Sequence, residues 1–280
     1  MIDLAFALGL AMSTLVIAVA YAGRVARVGP ARESRIERAG GSPLLGKAAM
    51  EMGYWAMRPL ARVCIALGLS ANAVSWISLA LAAMAGAALA LGAFGVAAVV
   101  SLASSACDAL DGMIARETGT ASDSGEVLDA AVDRYAELFF FGGIVLHERF
   151  DVLAVVLTLA ATAGAIMVSY STAKGEALGV TVPRGAMRRQ ERAIYLVVGV
   201  GLVPIAAAAC LRAGLPLWLA RVPLFAMLGL VAIVGNVSAV RRLRAIAGAV
   251  HAPMTLRTKT SNGANVIARD SHAAAGDVVR

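Results

Sequence analysis

Apolar residues come in long unbroken blocks along this chain, separated by short polar stretches. A helix needs about 20 mostly apolar residues to cross a bilayer. Seven segments meet or approach that length: 2–22, 73–94, 95–115, 126–146, 152–173, 193–211 and 217–239. The third ends in Asp108 and Asp111, and the fourth begins with Asp129 and Asp133, so hydropathy alone ranks these two lowest. Residues 44–66 follow another pattern. Leu44, Leu45, Ala48, Met52, Trp55 and Ala56 recur at helical spacing, while Lys47, Glu51, Arg58 and Arg62 interrupt them. This amphipathic run predicts a helix lying in the membrane interface, with a short connector helix as the alternative.

Composition sharpens that picture. Of 280 residues, 60% are hydrophobic and only 15% charged, against about 25% charged in soluble domains. A soluble or disordered protein is excluded. The predicted fold class is an all-α polytopic membrane helix bundle, with close helix approach favoured by 28 glycines. The expected division is 1–23 as an N-terminal transmembrane helix, 24–66 as basic linker and interfacial helix, 67–245 as the transmembrane domain, and 246–280 as a disordered tail. The first segment resembles a signal peptide in length, but Asp3 precedes its apolar core and Arg24, Arg27, Arg32, Arg35 and Arg38 follow it. That charge order predicts an uncleaved anchor with its N-terminus outside.

The net charge of +7 would suggest nucleic acid for a soluble chain. Here the charges sort by side of the membrane instead, and no nucleic-acid partner is expected. Placed on the seven predicted spans, all the Lys and Arg residues except Arg149, Arg212 and Arg221 fall on one side. By the positive-inside rule that side is cytoplasmic. Cys64, Cys107 and Cys210 lie in apolar sequence without metal-ligand spacing, which predicts neither a disulfide framework nor a zinc site.

The candidate chemistry is carried by residues 108–133. Asp108 and Asp111 are spaced i, i+3, and Asp129 and Asp133 i, i+4, so each pair shares a helix face. A short loop over 117–124 makes the two helices an antiparallel pair and brings four carboxylates together at the cytoplasmic boundary. Carboxylates in a membrane are costly and repel one another. Divalent cations relieve both problems, and hard oxygen ligands select Mg²⁺, Mn²⁺ or Ca²⁺, with enough donors for two ions. Two adjacent metals suit phosphoryl chemistry on a pyrophosphate. Gly112 and Gly125 leave room for a nucleotide, and Arg116 can fork onto phosphate. Helix capping or pairing with Arg116 and Arg134 would account for one aspartate, not four. A divalent-cation transporter or sensor would use the aspartates but leaves Gly112, Ala115, Arg116 and Gly125 unexplained.

The stretch 108–133 resembles the signature of the CDP-alcohol phosphatidyltransferases, D-x2-D-G-x2-A-R-x8-G-x3-D-x3-D, at every fixed position. The resemblance extends over roughly residues 44–245. It implies six transmembrane helices after an interfacial helix, a homodimer, a site on the cytoplasmic face of the cell's inner membrane, and two Mg²⁺ or Mn²⁺ ions. It implies transfer from a CDP-diacylglycerol-like lipid to an alcohol, with release of CMP. Carried onto this sequence, Asp108, Asp111, Asp129 and Asp133 would hold metal, with Asp133 also the general base. Asn72, Asp108, Gly112, Ala115, Arg116 and Gly125 would bind the CDP-lipid; Asn72 belongs to Ser70-Ala71-Asn72-Ala73-Val74-Ser75, which is similar to a T-P-N-x-x-T element of the family.

Residues 169–192, SYSTAKGEALGVTVPRGAMRRQER, resemble a segment of the phosphatidylinositol-phosphate and phosphatidylglycerophosphate synthase-like branches. Ser169, Tyr170, Ala173, Lys174, Glu176, Arg189, Glu191 and Arg192 match, whereas Thr172, Arg188 and Gln190 depart. Lys174, Arg189 and Arg192 are therefore candidates to gather the phosphate of a phosphorylated polyol acceptor. Solvated loop charges are the alternative. Inositol phosphate, glycerol 3-phosphate and other polyols all remain open as acceptors.

Overall fold

The structure, a computed structural model, describes residues 1–31, 36, 46–180 and 185–251. The expectations for Arg32, Arg35, Arg38, Leu44, Leu45 and the tail from residue 252 lie outside the described residues. Among the described residues all regular structure is helical. The order is α1 (Ile2–Val28), α2 (Gly46–Ala66), α3 (Ala71–Ala90), α4 (Phe94–Glu117), α5 (Asp123–His147), α6 (Val152–Ala177), α7 (Arg189–Ala213), a 3₁₀ turn (Leu217–Arg221) and α8 (Val222–His251). The last helix continues past the boundary expected at 245. Ala245, Ile246 and Ala247 are adequate helix formers, and no proline intervenes before Pro253.

Among the described residues, six helical stretches are long and apolar enough to cross a membrane: α1, α3, α4, α6, α7 and the run Leu217–Val250. The protein is an integral membrane protein. Helix α5 falls short because Asp123, Glu126, Asp129, Asp133, Arg134 and Glu137 crowd its first half. It is nonetheless packed into the bundle along α3.

Helix ends follow local sequence. The Ser70 hydroxyl accepts from Ala73 N–H at 3.2 Å to start α3. The Ser122 hydroxyl does the same for Gly125 N–H, at 3.2 Å, to start α5. Asp151 caps α6 through Ala154 N–H at 3.1 Å. These side chains satisfy amides that a helix leaves without partners. Helix α7 ends at Gly214 in the left-handed region, φ 65°.

Lipid provides little hydrophobic drive for one apolar helix to join another, so close packing must hold the bundle. Helices α3 and α5 cross at Gly86 and Gly143, where a Cβ on either residue would run into backbone of the other helix. The core around Leu89, Phe141, Ile144, Val200, Leu224 and Leu228 knits α3, α5, α7 and α8. We expect Gly143→Leu to cost about 1–3 kcal/mol or more by overpacking. A lowered unfolding temperature in detergent would show it; an unchanged one would mean the crossing is looser than described.

The two ends of the bundle differ in chemistry. At one end Arg221 bridges Glu148, at 2.9 Å, and Asp151, at 2.6 Å. At the other end lie the aspartates of α4 and α5 and the amphipathic helix α2.

Candidate active site

Helix α4 descends to its C-terminal turns with Asp108 and Asp111 on one face. Helix α5 starts after the 118–122 turn and sets Asp129 and Asp133 opposite. Carboxylate oxygens of Asp108, Asp111 and Asp129 lie within 4.8 Å of one another. Asp111 is buried and accepts from the Ser75 hydroxyl on α3 at 2.6 Å. That bond fixes one oxygen and leaves the other for a ligand. Asp133 is also buried; Oδ1 lies 2.6 Å from Arg189 Nη2 and Oδ2 3.6 Å from Arg134 Nη2. The other arm of Arg189 pairs with Asp108 Oδ2. One guanidinium therefore spans α4 and α5 and offsets the repulsion among their carboxylates.

The donor set fits a divalent cation. Three anionic oxygens converge, and Asp108 Oδ1 is buried with no hydrogen-bond partner. A buried carboxylate oxygen left unpaired is costly, and a hard cation would satisfy it. Asp133 stands beside this triad rather than within it.

The candidate nucleotide residues surround the same end of the bundle. The Arg116 guanidinium folds back over Gly112, its Nη1 only 3.1 Å from where a Cβ would stand. Asn72 Oδ1 lies 3.8 Å from the corresponding point on Gly125, so the starts of α3 and α5 meet there. Ala115 is half-buried one turn beyond Asp111. An apolar groove runs between α2, α4 and α7 and reaches Asp108. Tyr54, Met57, Leu102 and Ile194 line it, and Arg189 closes its polar end.

The three expected acceptor cations make different contacts. Lys174 is exposed near the end of α6. Arg189 joins the aspartates. Arg192 is 1% exposed and donates to Met187 carbonyl at 2.7 Å and through Nε to Glu137 Oε1 at 3.2 Å, with Nη2 also paired to that oxygen. Arg192 thus faces inward, held between Glu137 and the backbone that leads into α7. Glu137 also takes Arg134 Nη1 at 2.9 Å. Glu137 was not singled out from the sequence, yet it lies four residues past Asp133 on the same face, a spacing that could have flagged it.

Arg242 was read only as a topology charge. It is buried on α8, gives Nη1 to Thr172 at 2.9 Å, and has a buried Nε without a partner. A Cβ on Gly185 would sit 2.8 Å from that Nε, so a side chain there would push Arg242 aside.

Fold and site together define a membrane-embedded, metal-binding enzyme of phosphoryl chemistry. The family model for CDP-alcohol phosphatidyltransferase matches residues 68–238, and the chain belongs to that family. This sets aside the cation transporter. The phosphatidylinositol phosphate synthase of Mycobacterium marinum is 36% identical over 172 residues, covering 58% of this chain and 69% of that protein. The archaetidylinositol phosphate synthase of Aeropyrum pernix is 37% identical over 92 residues, covering 32% of this chain and 44% of that protein. Among solved structures, Mycobacterium tuberculosis phosphatidylinositol phosphate synthase with manganese and citrate superposes with a TM-score of 0.58 at 26% identity, covering 68% of this chain and 88% of that one. The same synthase with CDP-DAG bound gives 0.57 at 26% identity, covering 68% and 92%. The family's divalent-metal requirement is matched by the aspartates described above.

Proposed function

We propose that this protein transfers a phosphatidyl group from CDP-diacylglycerol to the hydroxyl of a phosphorylated polyol, inositol phosphate being the first candidate, and releases CMP. The observation that carries this reading is an apolar groove ending at the carboxylates, with buried cations on the same end of the bundle. Synthases of phosphatidylinositol phosphate among its relatives support the acceptor.

In this mechanism Asp108, Asp111 and Asp129 would hold Mg²⁺ or Mn²⁺, with Asp133 completing a second position. Such ions, when bound, neutralise charge on a pyrophosphate as it splits. The groove takes the acyl chains. Asn72, Gly112, Ala115, Arg116 and Gly125 cradle the CDP moiety. Asp133 accepts the proton of the acceptor hydroxyl, whose oxygen forms a bond to the β-phosphorus. The bond from that phosphorus to the oxygen of CMP breaks, and CMP leaves with the electron pair. Arg189 and Arg134 hold Asp133 in place for that transfer.

Lys174, Arg189 and Arg242 are the cations that would receive the acceptor's phosphate, with Arg192 anchoring the floor through Glu137. The unpartnered Nε of Arg242 favours its part in this set. We expect Arg242→Ala to raise the acceptor KM about 10- to 100-fold, the worth of a charge-assisted hydrogen bond, and to leave the CDP-lipid KM near parental. Steady-state kinetics with each substrate varied in turn checks this. Equal rises in both constants would assign Arg242 to structure alone.

The site faces the cytoplasm of the cell's inner membrane, and the enzyme works as a homodimer; the basic residues at the aspartate end support the orientation. In a cysteine-free background, Phe150→Cys should react with an impermeant maleimide added outside and Ser122→Cys should not. The reverse pattern would invert the topology.

A further inference from the structure

Helix α1 lies outside the family match at 68–238, and nothing in the chemistry above uses it. It is tied to the enzyme at both ends. At the end remote from the aspartates, Asp3 Oδ1 accepts from Gly95 N–H at 2.7 Å and Val96 N–H at 3.1 Å. These are amides of the first turn of α4, which a helix leaves unpaired, and a carboxylate there also complements the helix dipole. Gly95 permits the contact, since a Cβ would overlap the Asp3 carbonyl. Midway, Leu10 packs against the core and approaches Gly201 on α7.

The other end of α1 meets α2. Tyr21 is 6% exposed, and its hydroxyl lies 3.3 Å from Glu51 Oε2, itself 4% exposed. The same hydroxyl accepts from Ala31 N–H at 3.3 Å. The Tyr21 ring lies against Trp55, with centroids 5.6 Å apart. Glu51 is further held by Lys47 at 3.6 Å. Glu51 and Trp55 occupy one side of α2. Met50, Tyr54 and Met57 occupy the adjoining side and form a wall of the groove that ends at Asp108. A helix lying on a bilayer surface is free to lift or roll unless something fixes it. Here α1, capped onto α4 and packed on α7, supplies the fixed point.

We propose that α1 is an intramolecular brace for the lipid-substrate site. Tyr21, acting through Glu51 and Trp55, sets the position of α2 and with it the width of the groove that receives the CDP-lipid. Tyr21 is a positioning residue, and the proposal rests on the reading of that groove as the CDP-lipid site.

The test compares Tyr21→Phe, Tyr21→Ala, Glu51→Gln and Glu51→Ala in the full chain, reconstituted in vesicles with CDP-diacylglycerol. Losing a hydrogen bond to a charged group and an aromatic contact should raise the CDP-lipid KM about tenfold in Tyr21→Ala. The acceptor KM and kcat should stay within about twofold, because neither α1 nor Tyr21 touches the reacting groups. Tyr21→Phe should show about a threefold rise, since only the hydroxyl is lost. Glu51→Gln still accepts the hydrogen bond and should resemble the parent, while Glu51→Ala should resemble Tyr21→Ala. If Tyr21→Ala does not fold, the Phe, Gln and Glu51→Ala variants carry the comparison. A CDP-lipid KM unchanged in all of them overturns the brace. A second readout is independent of the substrate. In a cysteine-free background, Met50→Cys should react with a membrane-soluble maleimide several-fold faster when Tyr21→Phe or Tyr21→Ala is added. Equal rates overturn the brace even if the groove proves to take another lipid. A parent enzyme that ignores CDP-diacylglycerol while the labelling rates differ would instead sink the groove assignment and leave the brace standing.

Discussion

Asp108→Asn, Asp111→Asn and Asp129→Asn should each lower CMP release by a factor of about 10³ or more, equivalent to roughly 4 kcal/mol of transition-state stabilisation. The substitution preserves shape and removes one charge from a triad whose oxygens lie within 4.8 Å. Asp111→Asn is the cleanest of the three, because the amide oxygen can still accept from Ser75 and keep the side chain in place. Asp133→Asn should behave differently. Proton removal matters only as the acceptor attacks, so kcat should fall far more than CDP-lipid binding weakens. Turnover assays paired with detergent unfolding curves separate loss of chemistry from loss of fold. Near-parental turnover in both Asp108→Asn and Asp111→Asn would dissolve the metal triad.

Arg192→Ala should be the most destabilising charge removal in the bundle. It leaves Glu137 facing the interior without the buried guanidinium paired to its Oε1, the partly exposed Arg134 remaining on Oε2. Breaking a buried pair by removing one partner costs about 3–5 kcal/mol. The expected signature is a large drop in unfolding temperature. Arg192→Ala combined with Glu137→Gln should recover part of the loss, since the orphaned charge is then gone. A normal unfolding temperature with a raised acceptor KM would return Arg192 to the phosphate-binding set.

The bundle was legible in the sequence because lipid demands long apolar helices. Even α5, too charged to qualify as a span by hydropathy, was recoverable, since its aspartates recur on one face opposite those of α4. The convergence of Asp108, Asp111 and Asp129 follows from the same periodicity. Pairing partners were not legible. Nothing in the spacing says that Arg189 reaches across to Asp108 and Asp133, or that Arg192, three residues on, turns inward to Glu137. Those choices depend on how α7 is rotated against α4 and α8, its main helical neighbours, with Val200 buried in that packing. Arg242 was missed for a related reason. A basic residue at the end of a span reads as a topology signal until the structure shows it buried beside Gly185 and Thr172. The bond from Tyr21 to Glu51 joins elements that no short motif connects.

The central claim is tested most directly by CMP release from CDP-diacylglycerol in purified, detergent-solubilised protein, with Mg²⁺ or Mn²⁺ present or removed by chelator, and with inositol phosphate, glycerol 3-phosphate or free inositol as acceptor. The account predicts release that requires both the divalent ion and a phosphorylated acceptor, fastest with inositol phosphate. Release that persists in chelator, or that runs best with free inositol, would contradict it.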